Sequence, residues 1–442
     1  MADPLRLPDA PPFTLRAALL TPLAGGGERY EPDARVEVDA GGRISRVVAW
    51  RADEPDDGAV DLRDLVVLPG LVDLHAHLPQ LPNAGVGAGL DLLTWLERYI
   101  FPLERDFDVA TAEQVAPAAF RAFARAGTTT VLAYGALWPD SLDACFRAAE
   151  AHGIRAVIGK VMMDRLSYDT DRDPREVLDL SLTQSNELCV TWHGRDDGRL
   201  RYAYTPRFAV SCSAEMLRRS ALAAADAGAY WQTHLSEDRA EIAEVARLFP
   251  DAIDYTDVYD RAGGLGRRAI LAHAIHLSDR EVTRLAEAGA AIAHCPSSNL
   301  FLASGAMPLA RYLAAGIRMG LGSDVAGGPD LPLFGVMQAG AYTQNALRAA
   351  GLSDAAPLTP AEWLRMGTLG GAEALGMEAD IGSIEVGKEA DLIAVDPSLT
   401  LPLDGVGAAP DQRPDEMLSR LIFRPHPAMV RGAWVRGRLL PA

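Results

Sequence analysis

The run Leu68-Pro-Gly-Leu-Val-Asp-Leu-His75-Ala-His77 ends an apolar, strand-like stretch with two histidines one residue apart. Side chains at i and i+2 of an extended backbone point the same way, so both imidazoles can face one metal ion. A lone His-x-His pair is as often a loop coincidence, and the other histidines decide the matter. His234, His273 and His294 each end a short apolar run, and Asp324 follows another. Neutral imidazoles with one carboxylate suit Zn2+, Fe2+ or Mn2+, not Ca2+ or Mg2+, which take oxygen ligands. An ion of that class lowers the pKa of water to about 7. A carboxylate at the metal can take the water's proton, and a second acid must protonate the leaving group. Glu237, three residues past His234 in Thr-His-Leu-Ser-Glu, is spaced for that second role. The same spacing also describes a solvated glutamate in a first helical turn.

The elements that would position these groups follow a repeating theme. Between about 66 and 325, short β-rich runs alternate with Ala/Leu/Arg-rich helical stretches. Strands are predicted at 66–74, 128–134, 154–162, 200–206, 229–235, 268–273, 289–294 and 317–323. Helical spacing lies between them, as in 112–126, 214–227 and 279–288, often with a glycine near the end as a C-cap signal. Eight βα units predict an α/β fold of the (β/α)8 TIM-barrel type, with chemistry at the C-terminal ends of its strands. On that map five of the nine histidines, with Arg207 and Phe208 after the fourth strand, share one rim. The flanks alternate as strands do, at 13–20, 34–39, 43–50, 383–396 and 428–439. They predict a small β-sandwich domain built from both termini, over residues 1–66 and 376–442, beside a barrel over 67–375. Stretches 51–60 and 400–415, rich in Asp, Pro and Gly, read as surface loops.

Composition narrows the partners. The 442 residues are 49% hydrophobic, enough for a large core, and carry a net charge of −18. That charge argues against nucleic acid and anionic membranes, which need basic patches. Cys145, Cys189, Cys212 and Cys295 form no Cys-x-x-Cys pair, so neither a disulfide framework nor a thiolate zinc site is suggested. Met-Ala-Asp-Pro opens the chain without a signal-peptide pattern, and no apolar run approaches the roughly 18 residues of a membrane span. The expectation is a soluble, cytoplasmic protein acting on a small molecule. A homodimer is the expected assembly. The run 331–336 could serve its interface, although core packing explains that run equally well.

Pro69-Gly-Leu-Val-Asp-Leu-His-Ala-His77 and Gly322-Ser-Asp324 resemble the signature of the amidohydrolase superfamily. Leu93-Thr-Trp-Leu-Glu-Arg-Tyr-Ile-Phe-Pro-Leu-Glu104, Gly159-Lys-Val-Met-Met-Asp164 and Tyr204-Thr-Pro-Arg-Phe208 narrow the likeness to its guanine deaminase branch. So do Gln232-Thr-His-Leu-Ser-Glu237, Ala272-His-Ala-Ile-His-Leu-Ser278 and the stretch from His294 to Gly305. The likeness covers roughly 65–345. It implies hydrolytic deamination of guanine to xanthine and ammonia by a metal-activated hydroxide. It implies His75, His77, His234, His273 and Asp324 as ligands of one Zn2+ per chain, with Fe2+ or Mn2+ as alternatives. Glu237 falls on the family's proton shuttle, and His294 on a group that orients the hydroxide. Gln80, Arg207 and Phe208 fall on substrate contacts, Arg207 toward the purine oxygen. A local carboxylate pairing is the alternative for Arg207.

Two-metal members of the superfamily use a carboxylated lysine after the fourth strand. Here that strand ends in Arg207-Phe208, while Lys160 lies on the third, read as a strand lysine beside an acid such as Asp164. Leu78, Ser323-Asp-Val-Ala-Gly-Gly328 and the stretch from Gly328 to Phe334 depart from the usual pattern. A related aminohydrolase of another fused heterocycle, such as a pterin, is the near alternative. A non-catalytic barrel scaffold is the distant one, and it predicts a lost ligand or acid where none is missing.

Overall fold

The computed structural model describes residues 6–53, 58–166, 168–169, 171–406 and 413–442. The N-terminal Met-Ala-Asp-Pro and parts of the loops expected at 51–60 and 400–415 lie outside the described residues. Strands β1 (Phe13–Pro22), β2 (Glu28–Val38), β3 (Ile44–Ala49) and β4 (Val60–Pro69) open the chain. Next come β5 (Leu71–His77), β6 (Thr128–Tyr134), β7 (Arg155–Gly159), β8 (Val161–Met162) and β9 (Leu200–Pro206). Strands β10 (Tyr230–Leu235), β11 (Ala269–His273), β12 (Ala291–His294) and β13 (Arg318–Leu321) complete a parallel series. The chain then returns to the first sheet as β14 (Leu392–Val395), β15 (Val430–Val435) and β16 (Arg438–Leu439).

The parallel strands lie in the order β13-β12-β11-β10-β9-β7-β6-β5, with β8 continuing beside β9. Loop hydrogen bonds bring the two edges together. Asp324 N donates to His75 O at 2.7 Å and His77 N to Val325 O at 3.0 Å. This is the eight-stave barrel expected from the repeat, and helices intervene along the chain as in Ala214–Ala227 and Asp279–Ala288. Small and branched side chains such as Val72, Leu74, Leu132, Val157, Ala203, Ile270 and Ala293 fill its interior, as parallel strands covered on both faces require.

The terminal strands form one seven-stranded mixed sheet, ordered β16-β15-β14-β4-β1-β2-β3. Leu15, Leu19, Val36, Leu392 and Trp434 on one face enclose a core of their own. Val66, Leu68, Ile393 and Val395 on the other face join the main core with the barrel's helices. Both termini build this unit, as expected.

One boundary differs from the sequence reading. The strand predicted at 66–74 is the end of β4 and the start of β5, which belong to different sheets. The switch falls at Gly70, whose N–H donates to Asp391 O at 2.9 Å. A Cβ there would lie 2.0 Å from Thr129 Oγ1, so only glycine lets the chain cross between sheets so closely. The strand predicted at 154–162 likewise breaks into β7 and β8 at Lys160.

Candidate active site

Parallel strands end on one side of a barrel, and here that side collects the polar residues. His75 and His77 lie at the end of β5, His234 is the penultimate residue of β10, His273 ends β11, His294 ends β12, and Asp324 follows β13. His77 Nε2 lies 3.3 Å from the Nε2 atoms of both His75 and His234. Asp324 Oδ1 lies 3.2 Å from His75 Nε2 and 3.3 Å from His77 Nε2. The ligand atoms of these four residues all lie within 4.8 Å of one another. Imidazole nitrogens packed so closely leave lone pairs facing each other, an arrangement a shared cation resolves. The donor set therefore fits a divalent metal of the zinc class. His273 stands beside this group, its Nε2 3.7 Å from Asp324 Oδ2 and 3.4 Å from Glu237 Oε2.

The surroundings set which nitrogen of each ring is free. His234 Nδ1 is 2.6 Å from Arg207 O, which only an Nδ1–H can donate to, so Nε2 keeps its lone pair for the cluster. His273 Nδ1 is held by Asn299 Oδ1 at 2.9 Å. Asp73 Oδ1 accepts from the backbone N–H groups of His75 and Ser323, tying β5 to the loop that carries Asp324. His273 and Asp324 adopt left-handed backbone (φ 67° and 48°), uncommon for non-glycine residues and concentrated at functional sites. His294 is fully buried, neither ring nitrogen has a hydrogen-bond partner among the described residues, and burial pushes it down to about 3.

Burial also drives His77 down to about 4 and His234 well below the ordinary histidine value, so both are neutral ligand-competent rings. For Asp324, burial alone raises the pKa, but the facing His75 and His77 outweigh it and hold the carboxyl well below its usual range. Glu237 goes the opposite way. Burial, then the Asp324 charge, pushes it well above the carboxylate range. It is 2% exposed and accepts from Ser304 Oγ at 3.2 Å, so it is no solvated first-turn glutamate. The helix Arg239–Leu248 starts just beyond it, and the Glu241 side chain that closes this helix's capping box accepts from Glu237 N at 2.9 Å. Two carboxyls pushed in opposite directions provide one base and one acid.

His77, His234, Glu237 and Asp324 line a cavity together with Gln80, Arg207, Phe208, Trp95, Leu96 and Leu302. Gln80, Arg207 and Phe208, the expected substrate contacts, thus line the same cavity as the cluster. Arg207 Nη1 is paired to Glu104 Oε2, both residues being buried. Glu104 Oε1 accepts from Gln80 Nε2 at 2.7 Å, and Oε2 from Tyr168 Oη at 2.8 Å. Glu104, Asp73 and Asn299 were assigned no role from the sequence, although each lies inside a stretch that carried the resemblance. Only the pairing in space distinguishes them.

The acid expected beside Lys160 is not its partner. Lys160 Nζ donates to Val161 O at 3.3 Å and to Ser181 Oγ at 3.1 Å, on the helix Pro174–Trp192 outside the barrel. Asp164 instead accepts from Ser213 N at 2.7 Å. Burial lowers Lys160 to about 8.

The model of the amidohydrolase family matches residues 66–440. The chain belongs to that family. Within it, the guanine deaminase of Escherichia coli (strain K12) is 38% identical over 342 residues, covering 77% of this chain and 75% of that protein. A solved structure of guanine deaminase from C. acetobutylicum, with guanine bound in the active site, gives a TM-score of 0.88 at 29% identity. It covers 97% of this chain and 99% of that one. An adenosine deaminase from Xanthomonas campestris with bound zinc gives a TM-score of 0.79 at 28% identity, covering 98% and 93%. This amidohydrolase thus shares both the barrel and the terminal sheet with enzymes that deaminate purine bases or nucleosides.

Proposed function

We propose that this amidohydrolase converts guanine and water to xanthine and ammonia, in purine catabolism or salvage. The observation that carries the reading is the cluster of His75, His77, His234 and Asp324, with His273 and the buried Glu237 beside it, at the end of a cavity lined by Arg207. His75, His77, His234, His273 and Asp324 would hold one divalent metal, zinc first, with Fe2+ or Mn2+ as alternatives. Such an ion, when bound, acidifies water to a pKa of about 7. Asp324 accepts the water's proton. Glu237 gives its proton to the ring nitrogen beside the carbon that bears the exocyclic amine, and then assists departure of ammonia. His294 orients the attacking oxygen. Gln80, Arg207 and Phe208 hold the ring, so attack is effectively intramolecular.

A single metal fits a lysine that points away from the cluster, since Lys160 bonds Ser181 on an outer helix. The same reading takes residues 67–375 as the catalytic barrel and 1–66 with 376–442 as one companion domain. It takes the protein to be a cytoplasmic homodimer. Sedimentation equilibrium tests the assembly. Leu333, Phe334 and Val336 are buried in the core, so core packing accounts for them.

Ammonia release from guanine, isoxanthopterin and cytosine by metal-loaded protein tests the function. Guanine is expected to be turned over fastest. Faster turnover of isoxanthopterin would assign the site to a pterin instead. Elemental analysis should give about one metal per active chain, and two would overturn the mononuclear site.

A further inference from the structure

Glu104 does not line the cavity, yet its carboxylate holds two residues that do. Its position on the short helix Phe101–Arg105 is pinned by Trp138 Nε1, which donates to Arg105 O at 2.9 Å. A carboxylate only accepts, so Gln80 must turn its amide N–H2 toward Glu104. Gln80 Oε1 is then left with no partner among the described residues, although it is buried. Arg207, held by the same carboxylate, has only donors. The pair therefore offers one acceptor and one set of donors side by side.

That pattern complements a lactam edge, whose ring N–H donates and whose adjacent C=O accepts. It is the reverse of a 6-aminopurine, whose ring nitrogen accepts and whose amine donates. We propose that Glu104 is the positioning residue that sets this pattern, so that Gln80 accepts from the substrate's ring N–H while Arg207 donates to its carbonyl oxygen. The proposal rests on the guanine reading above and deepens it. Glu104 selects 6-oxopurines by fixing which face of the Gln80 amide the substrate meets, without touching the substrate itself.

Glu104→Gln keeps the shape but supplies one oxygen in place of two. With that oxygen on Arg207, its new N–H2 faces Gln80 and turns the Gln80 amide over. Guanine kcat/KM should then fall about 10- to 150-fold, mostly through KM, while 2-aminopurine, which lacks the lactam, changes by less than about 3-fold. Metal content should stay as in the unsubstituted protein. Tyr168→Phe removes one bond to the same carboxylate. It should raise the guanine KM about 3- to 10-fold with little effect on 2-aminopurine, and it decides the matter if Glu104→Gln does not fold. Equal changes on both substrates in the folded variant, or none in Tyr168→Phe where it alone is available, would overturn the proposal. Unsubstituted protein that releases no ammonia from guanine would instead overturn the functional reading, and the proposal with it.

Discussion

At the residue scale, the chemistry depends on two carboxyls in one site with opposite proton preference. Removing the proton carrier tests this directly. Glu237→Gln should retain metal and fold while losing on the order of 10²- to 10⁴-fold in kcat, read in a metal-replete sample by ammonia release. Near-normal turnover would reduce Glu237 to a buried structural acid. Arg207 is harder to isolate, because its truncation leaves Glu104 as a buried, unpaired charge. Arg207→Met alone should cost roughly 3–5 kcal/mol in stability and impair every substrate. Combining it with Glu104→Gln removes that penalty. Measured against Glu104→Gln alone, the double variant should lose about a further 10- to 150-fold in kcat/KM on guanine, against a much smaller further loss on 2-aminopurine. Equal losses in the double variant would make Arg207 a support for the loop. The two sequence readings of Arg207, substrate donor and carboxylate partner, are therefore compatible in one side chain.

At the scale of elements, β5 is where fold and site meet. It starts one residue after β4 leaves the terminal sheet, and it ends on the two histidines of the cluster. Gly70 makes the switch possible because Thr129 of β6 occupies the space a side chain would need. Gly70→Ala should destabilise the protein by about 1–3 kcal/mol, seen as a lower urea midpoint. Thr129→Ala in the same chain should recover part of that loss, since it removes the two nearest atoms. A Gly70→Ala protein as stable as the parent would show that the strands can separate freely. The run 66–74 is apolar except for Asp73, so its periodicity carried no mark of the switch, and only the Pro69-Gly70 pair signals it. Boundaries such as 128–134, 200–206 and the helix 214–227 were legible because sequence pattern and capping change together there.

At the scale of the whole molecule, one buried cluster joins barrel and terminal sheet. Arg155 at the start of β7 pairs with Glu389 and, at 3.0 Å, with Asp391, while Arg436 Nε reaches Glu389 at 2.9 Å. Burial works against the Glu389 charge, but Arg155 and Arg436 outweigh it and hold the carboxyl below its usual range. A carboxyl lowered in the folded state stabilises above its unfolded pKa, and that contribution is lost as pH falls through the folded value. Arg155→Met leaves two buried carboxylates short of a cation and should cost about 3–5 kcal/mol near pH 7. The deficit should shrink as the pH falls toward about 4, where Glu389 in the variant takes up a proton. Chemical denaturation at several pH values measures it. A deficit independent of pH would mean that lost packing, not charge, joins the two units.

The sequence by itself determined which residues end barrel strands and which side chains face together. Strand periodicity is local, and a His-x-His at a strand end has one orientation whatever lies around it. Eight repeats of one βα unit leave few architectures, so the rim of histidines and Asp324 followed from the chain alone. The tertiary structure decided the partners. Glu104 and Arg207 are 103 residues apart, and no periodicity links them. Lys160 had an acid four residues away in sequence, yet it bonds Ser181 on the helix outside. Partner choice depends on which segments the closed barrel brings within hydrogen-bond distance, and burial then makes each such pairing obligatory.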